Sequence, residues 1–198
     1  MKTAPRKASI ERKTAETDIS VSVGIDGSGE SRIETKIPFF DHMLNLFARH
    51  SLVDLNVTAD GDIEVDFHHT VEDVGIALGQ AFSEALGDKV GICRYGWAYV
   101  PMDETLVRVV LDFSGRPYTV FHAPENVEPI GRFSFQLVEE FLRGFSVHAG
   151  MNLHVEILYG RDAHHMAEGV FKCLAKAVDN ACRIDPRVKG VPSTKGVL

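Results

Sequence analysis

The feature that most constrains the fold of this 198-residue chain is a motif, His-His-x-x-Glu, that occurs twice. The first copy begins at His68 and the second begins 96 residues later, at His164. Each copy opens a run of apolar residues with helical spacing, which predicts that each lies on the first turn of a helix. A chain that repeats such a motif is predicted to fold as two similar halves.

The repetition extends beyond the motif, because residues 39–57 align with residues 137–155 at an offset of 98. A loop shortened by two residues then gives the offset of 96 at the paired histidines. We therefore predict an internal duplication with halves at 1–88 and 89–198, the second half ending in a tail at 190–198. Each half is expected to contain strands, a helix, a strand and a helix. Such halves pack helices on one face of a mixed sheet, which is an α+β fold.

Apolar periodicity sets the expected elements of the first half. Alternation predicts a strand at 19–25, and a Gly-rich turn leads into a second strand at 31–37, which Pro38 ends. Helical spacing follows over 39–50, and a third strand is predicted at 52–59. The helix that starts at the paired histidines is expected to end near Gly87, a suitable C-cap residue.

Composition excludes several classes of protein. No run of about 18 apolar residues is present, so we expect no membrane span. A net charge of −7 disfavours binding to nucleic acid. Three cysteines without C-x-x-C spacing indicate reduced cytosolic thiols, and residues 1–12 are basic without the apolar segment of a secretory signal. These features predict a cytoplasmic protein.

The spacing within the motif suits metal binding. Residues three or four apart lie on one helix face with Cβ atoms roughly 5–6 Å apart, so Glu72 could share an ion with His68 or His69. Adjacent histidines do not face each other, which favours two ions that each take one histidine from each pair. A single copy could equally be a set of solvated or capping residues near a helix start. Duplication of the pair together with its glutamate favours the metal-binding interpretation.

The repeat adds a further candidate ligand in each half. His42 lies on the predicted helix at 39–50, and its equivalent in the second half is Glu140. Imidazole and carboxylate both suit manganese, iron or zinc. A pseudo-twofold relation between the halves would give two sets of ligands, one of His42, His69, His164 and Glu168 and the other of Glu140, His165, His68 and Glu72.

Taken together, these residues closely resemble the imidazoleglycerol-phosphate dehydratase family of histidine biosynthesis. The resemblance covers nearly the whole chain, and the paired-histidine motifs with the C-terminal tail are its most specific parts. In some family members a metal-binding histidine stands where this chain has Glu140. The segments that carry the resemblance are 16–17, 39–44, 66–73, 101–104, 114–118, 164–168 and 192–198.

The resemblance implies a small-molecule substrate with an imidazole at one end and a phosphate at the other. Glu16, His42 and His68 are expected to contact the substrate. Guanidinium, ammonium and hydroxyl groups suit phosphate oxygens. Lys172 could instead pair with Glu168, one turn before it on the same helix. The phosphate-binding set implied by the family is Arg94, Arg116, Lys172, Ser193, Thr194 and Lys195.

The implied reaction is a dehydration that gives imidazole acetol phosphate. Two Mn²⁺ ions per active site would hold the imidazole ring as an imidazolate intermediate, since a bound cation eases deprotonation of its ligand. Glu16 is the candidate for the general base, with Asp103 as a second. The family also implies a homo-oligomer of 24 subunits with active sites at subunit contacts.

Two other functions would use the same ligands. A dinuclear metallohydrolase would activate water with them, and would differ in whether its ions bind an imidazole ring directly. A metal-storage or structural protein would have no need for the polar and basic side chains of the tail at 193–195.

Overall fold

The computed structural model describes residues 5–198, so the first four residues of the basic N-terminal segment lie outside it. The element order confirms the predicted repeat of strands, helix, strand and helix. The first half contains β1 (Lys7–Lys13), β2 (Thr17–Gly24), β3 (Ser31–Glu34), α1 (Pro38–Ser51), β4 (Asp54–Gly61) and α2 (His68–Leu86). The second contains β5 (Tyr95–Met102), β6 (Thr105–Asp112), β7 (Tyr118–His122), α3 (Gln136–Ala149), β8 (Asn152–Tyr159) and α4 (Ala163–Cys182).

The two sheets have the same topology, with strand orders β1-β2-β4-β3 and β5-β6-β8-β7. In each sheet the first three strands pair antiparallel, and the last pair, β3 with β4 or β7 with β8, is parallel. The registers also correspond, since Val21 lies opposite Val57 in one sheet and Val109 opposite Val155 in the other. The duplicated α+β fold of mixed sheets is therefore confirmed.

The core lies between the sheets and the helices. Alternate residues of β2 and β6 are buried on the face that the helices cover, beginning at Ile19 and Val107. Helix α2 packs on β1 and β2 and against α3, while α4 packs on β5 and β6 and against α1. Each of these helix pairs joins one half to the other.

Small residues allow α2 and α3 to approach closely. A Cβ atom added to Gly75 would lie 2.7 Å from the carbonyl oxygen of Phe141, and one added to Gly144 would lie 2.9 Å from that of Glu72. Both distances are shorter than the closest contact that a carbon and an oxygen atom make, so one of the two backbones would have to move. The contact between the halves at this crossing therefore requires glycine at both positions.

The ends of α1 differ slightly from the prediction. The strand predicted at 31–37 ends earlier, since β3 stops at Glu34 and Lys36 beyond it adopts a left-handed conformation with φ 64°. Pro38 forms the first turn of the helix instead, where its missing N–H costs nothing. Leu52 adopts the left-handed conformation at the C-terminus of α1, with φ 62°, so the next strand begins at Asp54 and not at residue 52. The equivalent position after α3 is Gly150, with φ 64°.

Within residues 5–198, none of the helices combines the length and the apolar character needed to cross a membrane. Cys93, Cys173 and Cys182 are all free thiols, as the sequence predicts.

Candidate metal centre and anion-binding groove

Three of the predicted metal ligands converge between α1 and α4. Nε2 of His42 lies 2.9 Å from Oε1 of Glu168, and Nε2 of His164 lies 3.0 Å from the same oxygen. All three ligand atoms fall within 4.8 Å of one another. Within residues 5–198 this is the one set of three histidine, cysteine or acidic side chains that meets this criterion. It joins the first half of the chain to the second.

Glu168 is the most buried member of this cluster, with a side chain 9% exposed. Burial opposes its ionisation, but hydrogen bonds from Lys172, His42 and His164 outweigh that effect and lower its pKa to about 2. The imidazoles are more open, with side chains 46% and 44% exposed. Two imidazole nitrogens around an ionised carboxylate form a donor set that fits manganese, iron or zinc.

Aromatic packing supports one of these imidazoles. The ring of Phe39 meets the ring of His164 edge-on, with centroids 5.2 Å apart, and Phe39 itself packs against Phe133 at 5.1 Å. Phe39 lies on α1 beside His42, and Phe133 precedes α3. The orientation of His164 therefore depends on side chains from both halves.

The second predicted set is only partly assembled within one chain. Nε2 of His68 lies 3.6 Å from Oε2 of Glu72, one turn along α2, and both side chains are more than 40% exposed. Glu140 lies on α3, which packs against α2. In the described part of the chain, these residues and His165 do not form a cluster of three ligand atoms.

His69 and His165 contact neither the cluster around Glu168 nor the pair of His68 and Glu72. Each has a carboxylate partner of its own. Nδ1 of His69 lies 3.0 Å from Oδ2 of Asp62, and Nδ1 of His165 lies 2.7 Å from Oε2 of Glu104. These hydrogen bonds raise the pKa of each histidine. Sequence reasoning missed both carboxylates as partners of these histidines. The repeat offered a signal for Glu104, which corresponds to Glu16, but none for Asp62.

The candidate bases lie on the far side of the same two rings. Oε1 of Glu16 is 3.8 Å from Nε2 of His69, and Oδ2 of Asp103 is 3.7 Å from Nε2 of His165. Both carboxylates are exposed, with side chains 54% and 75% accessible. Each is free to reach a molecule bound beside its histidine.

Glu104 is held much more firmly than either candidate base. Its Oε1 accepts the backbone N–H groups of Asp162, at 2.9 Å, and Arg161, at 3.1 Å. These bonds, with the one from His165, hold the pKa of Glu104 far below its ordinary range. Asp162 caps α4 by accepting the N–H of His165. The turn between β5 and β6 is thus tied to the start of α4.

Five of the six predicted phosphate-binding residues line one groove. Arg94 is fixed there by two hydrogen bonds to Asp112 and by one, at 2.8 Å, to the carbonyl oxygen of Pro192. Within residues 5–198, neither Arg116 nor Lys195 has a carboxylate oxygen within the 4.0 Å of an ion pair. The lining residues are Arg94, Tyr95, Arg116, Pro192, Ser193, Thr194 and Lys195.

Lys172 lies elsewhere, where its ammonium group forms an ion pair with Glu168 and contacts the sulfur of Met102. The structure thus shows the alternative partner for this lysine. Its predicted contact with phosphate stays a prediction.

Comparison with known proteins agrees with this geometry. The sequence profile of the family described as imidazoleglycerol-phosphate dehydratase matches residues 35–178. The proteins of that name from Acetivibrio thermocellus and Geobacter metallireducens are each 58% identical over 193 residues, covering 98% of this chain and 99% of theirs.

Two crystal structures are also similar. One, of imidazoleglycerol-phosphate dehydratase from Staphylococcus aureus, has a TM-score of 0.82 and 39% identity, covering 90% of this chain and 99% of its own. The other, of IGPD from Pyrococcus furiosus in complex with (S)-C348, has a TM-score of 0.82 and 37% identity, covering 96% and 100%.

Proposed function

Because the chain belongs to the imidazoleglycerol-phosphate dehydratase family, it is a hydro-lyase, and we propose that it dehydrates imidazole glycerol phosphate with two Mn²⁺ ions at each active site. The observation that carries this proposal is the convergence of His42, His164 and Glu168. The family assignment replaces the metallohydrolase and metal-storage alternatives.

We propose that this cluster holds one ion together with His69. The second ion would take His68, Glu72, Glu140 and His165. Because His69 and His165 face other groups within their own chain, this arrangement favours sites completed by neighbouring subunits. That supports the predicted homo-oligomer of 24 subunits, since symmetric contacts would repeat the same completion in every copy.

When bound, the two ions would supply positive charge that stabilises negative charge on the imidazole ring of the substrate. The protein supplies the remaining groups. Glu16, beside His69, is our candidate to remove the proton from the second carbon of the side chain, counted from the imidazole ring. The hydroxyl on the first carbon leaves, and together with the removed proton it accounts for the water that is lost. The hydroxyl that stays on the second carbon makes the product an enol, which becomes the ketone, imidazole acetol phosphate. Asp103, beside His165, is the second candidate for this proton transfer.

The groove between Arg94 and Lys195 is proposed to bind the phosphate of the substrate. The charge of Arg94 is partly neutralised by its ion pair with Asp112. Arg116 and Lys195 are therefore expected to contribute most of the positive charge at the phosphate. Hydroxyl groups of Ser193 and Thr194 add neutral donors. Such a remote contact would orient the imidazole end for reaction.

The proposed function is tested by assaying purified protein with imidazole glycerol phosphate after metal removal and after Mn²⁺ is restored. Activity should vanish and return. Glu16→Gln should lower kcat by about 10²-fold or more, as expected for loss of a general base, while Glu34→Gln, an exposed acid on β3, should leave kcat unchanged. Full activity in the metal-free protein would contradict the role of the ions.

A cytoplasmic location is part of the same proposal. Its support is the set of free thiols, one of them partly exposed, which suits a reducing compartment. Localisation of a tagged chain in fractionated cells would test it.

A further inference from the structure

We propose that Asp62 and Glu104 are positioning residues that set the tautomer of His69 and His165, so that Nε2 of each ring can bind an ion. This inference rests on the proposed function. An ionised carboxylate can only accept hydrogen bonds, so a ring nitrogen facing it must carry the proton. Nδ1 of His69 faces both oxygens of Asp62, at 3.1 and 3.0 Å, and Nδ1 of His165 faces Glu104.

A proton on Nδ1 determines the state of the other ring nitrogen, Nε2. In a neutral imidazole with its proton on Nδ1, Nε2 holds the lone pair that a metal requires. Carboxylate partners of this kind commonly fix the orientation of metal-binding histidines. His42 and His164 need a different explanation, because their Nε2 atoms already converge on Glu168.

The two halves reach this arrangement with residues that are not equivalent in the repeat. A Cβ atom added to Gly61 would meet Thr17 and Thr70, and one added to Gly160 would meet Thr105 and Met166, so the two glycines occupy equivalent places. The residue that follows is Asp62 in the first half and Arg161 in the second.

The second half therefore lacks a carboxylate where the first half has Asp62. In the second half Glu104 provides the acceptor that faces Nδ1 of the histidine. The equivalent of Glu104 is Glu16, which lies on the Nε2 side of His69 instead. The duplicated halves thus keep an acceptor at Nδ1 although the residue that provides it has changed. This division also leaves Glu16 free for proton transfer.

The two carboxylates differ in how firmly they are held. Both oxygens of Glu104 are committed, since Oε1 accepts two backbone N–H groups and Oε2 faces His165. Both oxygens of Asp62 face one group, Nδ1 of His69, and within residues 5–198 no backbone N–H donates to either of them. A replacement at Asp62 can therefore rotate, whereas one at Glu104 cannot.

This difference makes amide variants informative. In Glu104→Gln the backbone N–H groups will retain the amide oxygen, so the amide NH₂ must face Nδ1 and donate to it. His165 would then carry its proton on Nε2, which cannot bind an ion. In Asp62→Asn the amide can turn its oxygen towards His69 and preserve the original tautomer. Glu104→Gln should therefore have the larger effect.

The experiment is titration calorimetry of the intact metal-free protein with Mn²⁺. Glu104→Gln should weaken one of the two classes of site by about 10- to 100-fold, and Asp62→Asn should weaken binding less. Glu125→Gln, an exposed loop acid, serves as the matched control. Unchanged affinity in Glu104→Gln would overturn the inference, whereas a wild-type protein that binds no Mn²⁺ would overturn the proposed function itself.

A second measurement does not depend on metal or on a variant that folds. Long-range ¹H–¹⁵N spectra of metal-free protein with ¹⁵N-labelled histidine distinguish neutral rings protonated on Nδ1 from those protonated on Nε2. At a pH high enough to keep the rings neutral, we expect the Nδ1–H form for His69 and His165. Finding both rings protonated on Nε2 in the wild-type protein would refute the proposal.

Discussion

His42 and Glu168 are separated by 126 residues, yet Nε2 of His42 lies 2.9 Å from Oε1 of Glu168. The contact exists because α1 of the first half packs against α4 of the second. Neither half could assemble this cluster alone. The duplicated fold thus places its candidate metal centre where the two copies meet.

Replacing His69 or His165 with alanine should abolish activity and reduce bound metal, because each would remove a proposed ligand from a different ion. Metal analysis of the purified variants, together with kinetic assays, measures both effects. His122→Ala, an exposed histidine at the end of β7, is the control and should behave as wild type. Undiminished metal in either ligand variant would refute its assignment.

Lys195→Ala should raise KM and lower kcat/KM about tenfold or more, since one charge-assisted contact with phosphate contributes about 1.5–3 kcal/mol. Binding energy from this remote contact can also serve orientation, so kcat should fall as well. Steady-state kinetics on imidazole glycerol phosphate provide the measurement. Lys189→Ala removes an exposed lysine just before the groove and should change neither constant.

The residues that follow α1 and α3, Leu52 and Gly150, offer a reciprocal test of backbone strain. Leu52 holds a left-handed conformation that costs a residue with a side chain about 1–2 kcal/mol. Leu52→Gly should therefore stabilise the protein by up to about 1 kcal/mol, after the lost contacts and the greater freedom of glycine in the unfolded state are subtracted.

Gly150→Ala, at the equivalent position, should destabilise the protein by about 1 kcal/mol, because an added Cβ meets only ordinary contacts and the cost is conformational. Chemical unfolding of both variants decides the matter. Equal signs for the two changes in unfolding free energy would contradict the strain argument.

Burial raises the pKa of Cys173 and of Cys182 to about 12, so both thiols stay protonated in the folded protein at pH 8. A thiol reagent at pH 8 should react readily with the partly exposed Cys93 alone, and with all three cysteines after denaturation. Since the folded values lie above the ordinary value near 9, these thiols should reduce stability as pH rises from about 9 towards 12. Rapid labelling of two or more thiols in native protein would contradict the burial.

Removal of metal by a chelator should both inactivate the enzyme and shrink the proposed 24-subunit particle. Ligands that link subunits contribute assembly free energy, which is lost with the ion. Sedimentation before and after chelation, and again after Mn²⁺ is restored, measures this change. A particle of constant size would indicate that the ions serve chemistry alone.

The sequence by itself determined the repeat, the order of elements and the helical position of both motifs. These follow from the spacing of apolar residues, which is a local property of consecutive positions in the chain. It also placed Arg94 and Lys195 in one set through family resemblance. The two-residue error at the start of β4 arose because Leu52 adopts a conformation that its side chain disfavours.

Only the tertiary structure decided which of these residues meet. His42 joins His164 and Glu168 because whole helix surfaces from different halves pack together, and no local pattern encodes that choice. The same applies to Asp62 and Glu104, which reach the paired histidines from a loop and a turn. A helix period fixes which side chains share a face, whereas the partner of that face depends on the packing of the entire chain.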